Sequence, residues 1–163
     1  WSIEGGTIEQ TSNVMVGGKR VMENDPAVER PGSLFIFKNA DHFSDGEFNF
    51  EMNSTDDDGV GVALRYQGPD NYYLWSTHSQ RPFRALAVKQ GERYDVLAAN
   101  KRGFERRKWL QIKIVFAGSK ITGFIDGEKD FEVDDPTYAD GAIGFYSWGN
   151  SGVQFRNIKF EKK

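Results

Sequence analysis

The sequence has no cysteine. That absence excludes disulfides, thiolate-bound metals and cysteine nucleophiles, while leaving the compartment open. Histidine is scarce: His42 and His78 are the only two, which leaves zinc short of its usual nitrogen ligands. No apolar run approaches the ~20 residues of a membrane-spanning helix. Charge is nearly balanced, with 21 Lys and Arg against 24 Asp and Glu. A net charge of -3 gives no electrostatic grip on nucleic acid or an anionic membrane. No segment sustains the 3.6-residue apolar period of a helix. Neither a Ser-His-Asp arrangement nor a glycine-rich phosphate loop is present.

What is abundant is aromatic side chains, at 14%, and glycine, 18 in 163 residues. Together they favour an all-β fold with many tight turns. The length suits one domain over residues 1–163 with one core. The chain begins at Trp1 without Met or leader. It reads as a mature or excised piece, a monomeric module of a larger secreted protein.

Apolar residues alternate with period two between Gly, Pro, Asn and Asp breaks. Residues 1–10 read as two short strands about Gly5-Gly6. Residues 11–33 are polar and turn-rich, a long surface loop. Strands are expected at 34–37, 46–52, 60–67, 72–78, 84–90, 94–98, 109–116, 121–125, 142–148 and 152–160. Asp126-Gly127 and Gly118-Ser119 are hairpin signals, and a short helical turn is expected near Tyr138. This spacing predicts two antiparallel sheets packed face to face.

Alternation also sorts the faces. Phe48, Phe50 and Met52 point inward, as do Leu110, Ile112, Ile114 and Phe116. Val62, Leu64, Tyr72, Leu74, Leu86, Val88, Ile143 and Phe145 also face in. The expected outward set is Arg65, Tyr73, Trp75, Phe83, Tyr146 and Trp148, among small Gly61, Ala63, Ala85, Ala87 and Gly144. Large rings beside a floor of small residues describe a groove, where a solvated face would carry Lys, Glu and Thr.

Thr55-Asp56-Asp57-Asp58-Gly59 opens one of these strands. Three consecutive carboxylates repel, and a turn built from them needs a cation or good solvation. Calcium takes six to eight oxygens, and Asp56, Asp57 and Asp58 supply carboxylates at that density. Asp41, Asp45 or Asn53 are further oxygen donors. A solvated acidic turn held by Gly59 is the plainer reading.

These stretches resemble the concanavalin-like jelly rolls. The acidic turn, Arg65-Tyr66-Gln67, Asn71-Tyr72-Tyr73, Trp109-Leu110-Gln111-Ile112, Gly141–Trp148 and the closing strand Val153–Ile158 carry the likeness. Laminin G-like domains, the thrombospondin C-terminal domain and bacterial sandwich-type carbohydrate-binding modules share the pattern. The resemblance implies calcium at one edge and sugar on the concave sheet or the loops. It points to an extracellular domain that binds a polysaccharide without catalysis.

A sugar needs stacking rings and a rim of planar hydrogen-bonding groups. Tyr73, Trp75 and Trp148 are the candidate rings; Arg65, His78, Arg81, Arg84 and Asn150 are the candidate rim. The arginines suit an acidic glycan, since guanidinium binds carboxylate in bidentate fashion. The alternative is that some rings belong to the core or lie under the 11–33 loop.

Catalysis is the competing class. Glycosidase carboxyls stand about 5–5.5 or 6.5–9.5 Å apart, whereas Glu47 and Glu51, four residues apart on one strand, are separated by ~13 Å. A polysaccharide lyase would need Tyr73, His78 and Arg84 to converge. A calcium-dependent adhesion domain that binds protein through its loops is the third class.

Overall fold

The computed structural model describes residues 1–18, 20–40 and 42–163. Strands dominate, and two short 3-10 turns, Val16–Gly18 and Lys38–Ala40, are the only helical pieces among the described residues. The strands in chain order are β1 Ser2–Glu4, β2 Thr7–Gln10, β3 Ser33–Phe37, β4 Gly46–Ser54, β5 Gly59–Gly68, β6 Asn71–His78 and β7 Phe83–Gln90. They continue with β8 Arg93–Asn100, β9 Leu110–Ala117, β10 Lys120–Ile125, β11 Glu128–Asp134, β12 Ala142–Trp148 and β13 Val153–Lys162. One sheet has seven strands, ordered β1-β2-β13-β4-β9-β10-β11. The other has six, ordered β3-β12-β5-β6-β7-β8. The two packed sheets follow the strand spacing, and the fold is a concanavalin-like jelly-roll sandwich, as the resemblance implies.

Strand β11 was not expected. Its sequence, Glu-Lys-Asp-Phe-Glu-Val-Asp, carries too few apolar residues to announce a strand. It forms because the Asp126-Gly127 turn folds the chain back onto β10; both turn residues have positive φ, 50° and 82°, as this tight hairpin requires. The helical turn expected near Tyr138 is absent; that segment is an irregular crossover to β12.

The two sheets bury a single aromatic-rich core. Phe48, Phe50, Phe145 and Phe155 lie at its centre, and Phe145 stacks on Phe155 with centroids 3.8 Å apart. Burying one such side chain is worth about 1.5–3 kcal/mol. The inward stripes of β4 and β9 fall where alternation put them, and each strand buries every second residue.

The six-stranded sheet is different. Strands β5, β6, β7 and β12 are buried on both faces. Segment 11–32 causes this by crossing their outer side as a strap. Val21, Met15 and Val28 of the strap pack on Ala63, Tyr72, Leu74, Tyr146 and Trp148. Backbone bonds pin its ends: Gly149 N–H donates to the Val14 carbonyl at 2.9 Å, and Val16 N–H to the Pro31 carbonyl at 2.8 Å. The expected surface loop is therefore a third layer.

Candidate functional site

All eight residues nominated from sequence for a ligand site are buried, none more than 7% exposed. Three of them face differently from expectation. Tyr73 and Trp75 lie in the core between the sheets, not on the outer face. Register decides this: Trp75 pairs with Val62 and Leu86, both core residues, and Tyr73 with Leu64 and Val88. Tyr72 and Leu74 take the outer side instead, beneath the strap. Because both faces of β6 are apolar, its alternation carries no sign.

Arg65 is the third correction. A bulge interrupts the β5–β6 ladder between Leu64 and Gly68, and Arg65 adopts a left-handed φ of 48°. The bulge turns its side chain inward. There the guanidinium donates to the carbonyls of Tyr138 (2.8 Å), Ser44 (2.9 Å) and Gly118 (2.6 Å). It ties three crossovers together at one end of the sandwich, and burial lowers its pKa.

Arg84 also points inward. It donates to Asp130 at 3.0 Å and to the Gly103 carbonyl at 3.1 Å. Asp130 is the extra residue at a bulge in the β10–β11 ladder, so it reaches across to the other sheet and also accepts from Trp75 Nε1 and Asn100. Tyr73 Oη donates to the Asp135 carboxylate at 2.6 Å; burial and this bond push its pKa up to about 12. His78 lies on the opposite face of β6 from Tyr73, Trp75 and Thr77. Tyr73, His78 and Arg84 therefore do not converge, and the lyase constellation expected from sequence does not assemble.

Asn150 is a structural pin. Its Nδ2 donates to Ser54 Oγ and the Asp58 carbonyl, and its Oδ1 accepts from Gly152 N–H. These bonds fasten the β12–β13 turn to the acidic turn. Arg81 donates to Asp58 at 3.1 Å and to the Met22 carbonyl at 3.2 Å, joining the acidic turn to the strap.

The acidic turn is thus stabilised from within. Asp56 Oδ1 accepts from Asp57 N–H, while Oδ2 accepts from the Ser151 amide and hydroxyl. Burial would raise the Asp56 pKa, but the Ser151 and backbone bonds outweigh it and hold the carboxyl low. Burial raises the Asp58 pKa against the pull of Arg81. One oxygen from each of Asp56, Asp57 and Asp58 lies within 4.8 Å of the others, a spacing compatible with a hard cation. Of the further donors, Asp45 sits before Gly46 at the far end of β4, bonded to Gly118 N–H. Asp41 lies outside the described residues.

Part of the expected outward set does share one face. On the outer face of the six-stranded sheet, Phe83, His78, Tyr146 and Trp148 stand around Gly59, Gly61, Ala63, Ala85, Ala87 and Gly144. The chain itself covers that face. Arg30 of the strap lies over Phe83, 5.1 Å from the ring centroid, and over Trp148 at 5.9 Å. Tyr146 Oη donates to the Arg30 carbonyl at 2.6 Å, and Lys89 pairs with Glu29 at 2.8 Å. Sequence reading missed Arg30; it stands in a polar loop without periodicity, so nothing local marks it.

One end of that face stays open. A cleft of about 520 Å³ is lined by Asn24 and Pro26 of the strap, Pro82, Phe83, Ala99, Asn100 and Lys101. On the far side of the sandwich, the seven-stranded sheet presents a wider polar groove of about 730 Å³, with Glu47, Glu51, Glu161, Lys113 and Lys159 on its walls. The aromatic rings flanking that face already carry cations: Arg156 lies 3.7 Å over Trp109, and Lys113 5.0 Å over Phe124.

With this geometry in hand, known proteins give a consistent placement. The family model for the 3-keto-alpha-glucoside-1,2-lyase-like domain matches residues 1–161, and the chain belongs to this family. No functionally curated protein matches the sequence. Among solved structures, the carbohydrate-binding module CBM66 from Bacillus subtilis is similar, with a TM-score of 0.67 at 15% identity, covering 81% of this chain and 92% of that one. A Parabacteroides distasonis protein provisionally named a glycosyl hydrolase also reaches 0.67 at 15% identity, covering 100% of this chain and 90% of that one. The galectin LEC-6 of Caenorhabditis elegans gives 0.59 at 14% identity, over 86% and 99%. These likenesses establish the fold.

Proposed function

We propose that this member of the 3-keto-alpha-glucoside-1,2-lyase-like domain family is a carbohydrate-binding domain. It takes a polysaccharide at the outer face of the six-stranded sheet, entering by the cleft beside Phe83. One observation carries the reading: a small-residue floor rimmed by Phe83, Tyr146 and Trp148 opens at one end into a cleft with Asn24, Asn100 and Lys101 on its walls. Apolar rings with a few polar groups suit a sugar, which has one CH face and a hydroxyl rim. The test is a binding screen against neutral and acidic polysaccharides with product release followed in parallel. Retention without product supports the reading; no retention on any glycan overturns it. The proposal assigns the domain to the outside of the cell, where such polymers lie.

A second reading, a sugar lyase, is favoured by the family match and by His78. In a 3-keto-α-glucoside the ketone acidifies the C2 proton. Its removal expels the substituent at C1 and leaves a double bond between C1 and C2. Burial beside Arg30 and Arg81 lowers the His78 pKa to about 3; this keeps the ring neutral but leaves it a weak base for that step. Release of the C1 substituent from a 3-keto-α-glucoside, lost in His78→Phe, would replace the binding reading with this one.

Calcium at the acidic turn is a separate proposal, with Asp57 and the oxygens of Asp56 and Asp58 as ligands. The 4.8 Å spacing supports it, while the internal bonds of Asp56 and Asp58 oppose it. Melting with calcium and with chelator tests it, and identical melting temperatures remove it.

A further inference from the structure

Four side chains meet under the strap. Arg30 lies over Phe83 and Trp148. The His78 ring is 4.6 Å from Phe83 and 5.9 Å from Trp148, centroid to centroid. Within this cluster Arg30 Nε, both His78 ring nitrogens and Trp148 Nε1 are buried without a hydrogen-bond partner. A buried polar atom left unpaired costs about 1–3 kcal/mol. Orphans are rare in folded proteins and each asks for an explanation. Here four of them belong to one packed cluster of side chains.

Charge sharpens the question. Nearby cations have carboxylate partners: Arg81 pairs with Asp58, and Lys89 with Glu29. Arg30 has carbonyls only. Its terminal nitrogens donate to Asp25, Val28 and Glu23 oxygens at 3.0, 2.9 and 2.5 Å. It forms no ion pair among the described residues, and it is only 5% exposed. A desolvated cation without a counter-charge is costly. The free groups are N–H donors on Arg30 and Trp148, and on His78 one donor and one acceptor. That set suits an anion with a neighbouring hydroxyl.

We infer that Arg30, His78 and Trp148 form a binding site for the carboxylate of an acidic sugar, roofed by the strap and reached through the cleft at Phe83. The inference rests on the carbohydrate reading of the same face and names its ligand class. The carboxylate accepts from Arg30 Nε–H and Trp148 Nε1–H. His78 donates to the carboxylate or accepts from the adjacent hydroxyl, and the sugar ring extends along Phe83 into the cleft. Phe83 belongs to both the cluster and the cleft wall, and Asn24 and Pro26 on that wall belong to the strap. Ligand entry therefore shifts the strap outward while keeping Arg30 in contact. The arginines picked from sequence for an acidic glycan all have internal partners. Arg30, buried without an ion pair among the described residues, comes from the strap.

The test is a titration followed by the nitrogen–hydrogen signals of the tryptophan side chains, with Trp148 assigned through Trp148→Phe. Sodium galacturonate is the probe, galactose its neutral counterpart, and sodium chloride the control for ionic strength. The inference expects the Trp148 indole to move with galacturonate, but not with galactose or chloride. It expects Arg30→Gln to weaken binding on the order of tenfold to a hundredfold. Trp148→Phe keeps the ring and loses one donor, so it should bind several-fold more weakly even if Arg30→Gln loosens the strap. An unmoved indole, a response shared by chloride or galactose, or wild-type affinity in both variants overturns the site. Loss of the site while a neutral polysaccharide still binds leaves the carbohydrate reading standing. Loss of both removes that reading as well.

Discussion

The two outer faces of this sandwich are built from similar strands and end in opposite states. On the seven-stranded sheet, β4 and β9 alternate between buried residues and half-buried or exposed, mostly polar ones, and no other layer of the described residues covers that side. On the six-stranded sheet, β6, β7 and β12 bury both sides, and the chain covers its own outer face. A row of aromatic residues on the outside of a sheet signals that something lies over it. The pattern does not say whether that cover is a ligand or another part of the same chain. Here it is residues 11–32, and any ligand has to share the face with them.

The contrast breaks most sharply at Trp75. Were it on the outer face, replacement by Ala would cost binding alone. As a core ring it should cost about 3–5 kcal/mol of stability, read as a large fall in the denaturation midpoint. A midpoint like that of the unaltered protein would put the ring back outside.

Next in size is the pH dependence of the strap-covered face. His78 has a folded pKa near 3 against an unfolded value near 6.5. Between those values the unfolded chain binds the additional proton, so stability is full above about pH 6.5 and falls as the pH drops toward 3. The expected loss is about 1.4 kcal/mol per pH unit within that window, or about 2–3 kcal/mol by pH 4.5. His78→Phe should flatten the profile there; an unchanged slope would show that other groups carry it.

Val21→Asp converts one face toward the other. Placing a carboxylate against Tyr146 and Trp148 should cost about 1–3 kcal/mol, confined to the strap. Proteolysis within residues 11–32 should rise while the sandwich stays folded, and galacturonate binding should weaken as Arg30 is drawn off the rings. Global unfolding instead would mean that the strap and sheet form one cooperative unit.

The smallest effect belongs to the open face. Arg156 pairs with Glu51 at 2.6 Å, and its side chain is 42% exposed. Arg156→Ala should cost under about 1 kcal/mol, and less in high salt. A larger loss would mean that its stacking on Trp109 helps to hold the sheet.

The same contrast explains what could be read from sequence. Phe48, Phe50 and Met52 declared their side because Glu47, Asn49 and Glu51 sit between them. Tyr72, Tyr73, Leu74 and Trp75 could not, because no polar residue separates the two sides. Arg65 defeated alternation through a bulge, which shifts side-chain parity without marking the sequence. Asp130 did the same on β11. Strand spacing and turns predicted two packed antiparallel sheets, and the resemblance to concanavalin-like domains supplied the jelly roll. Arg30 was invisible because its partners are Phe83 and Trp148, brought together by folding alone. The acidic turn read as three free carboxylates because two of its partners, Arg81 and Ser151, lie 23 and 95 residues away from their aspartates.

The place of β13 sets the order in which this chain folds. That strand sits between β2 and β4, pairing with residues 8–10 and 46–54 from the first third of the sequence. Until residues 153–162 are available, the seven-stranded sheet is two fragments with bare edges. The strap waits as well, since its anchors Tyr146 and Gly149 arrive late and bond to Arg30 and Val14. Closure of such long loops precedes most of the contact energy that rewards it, which makes folding slow. On a ribosome, β2 and β4 each keep one edge bare until β13 emerges to fill the gap between them.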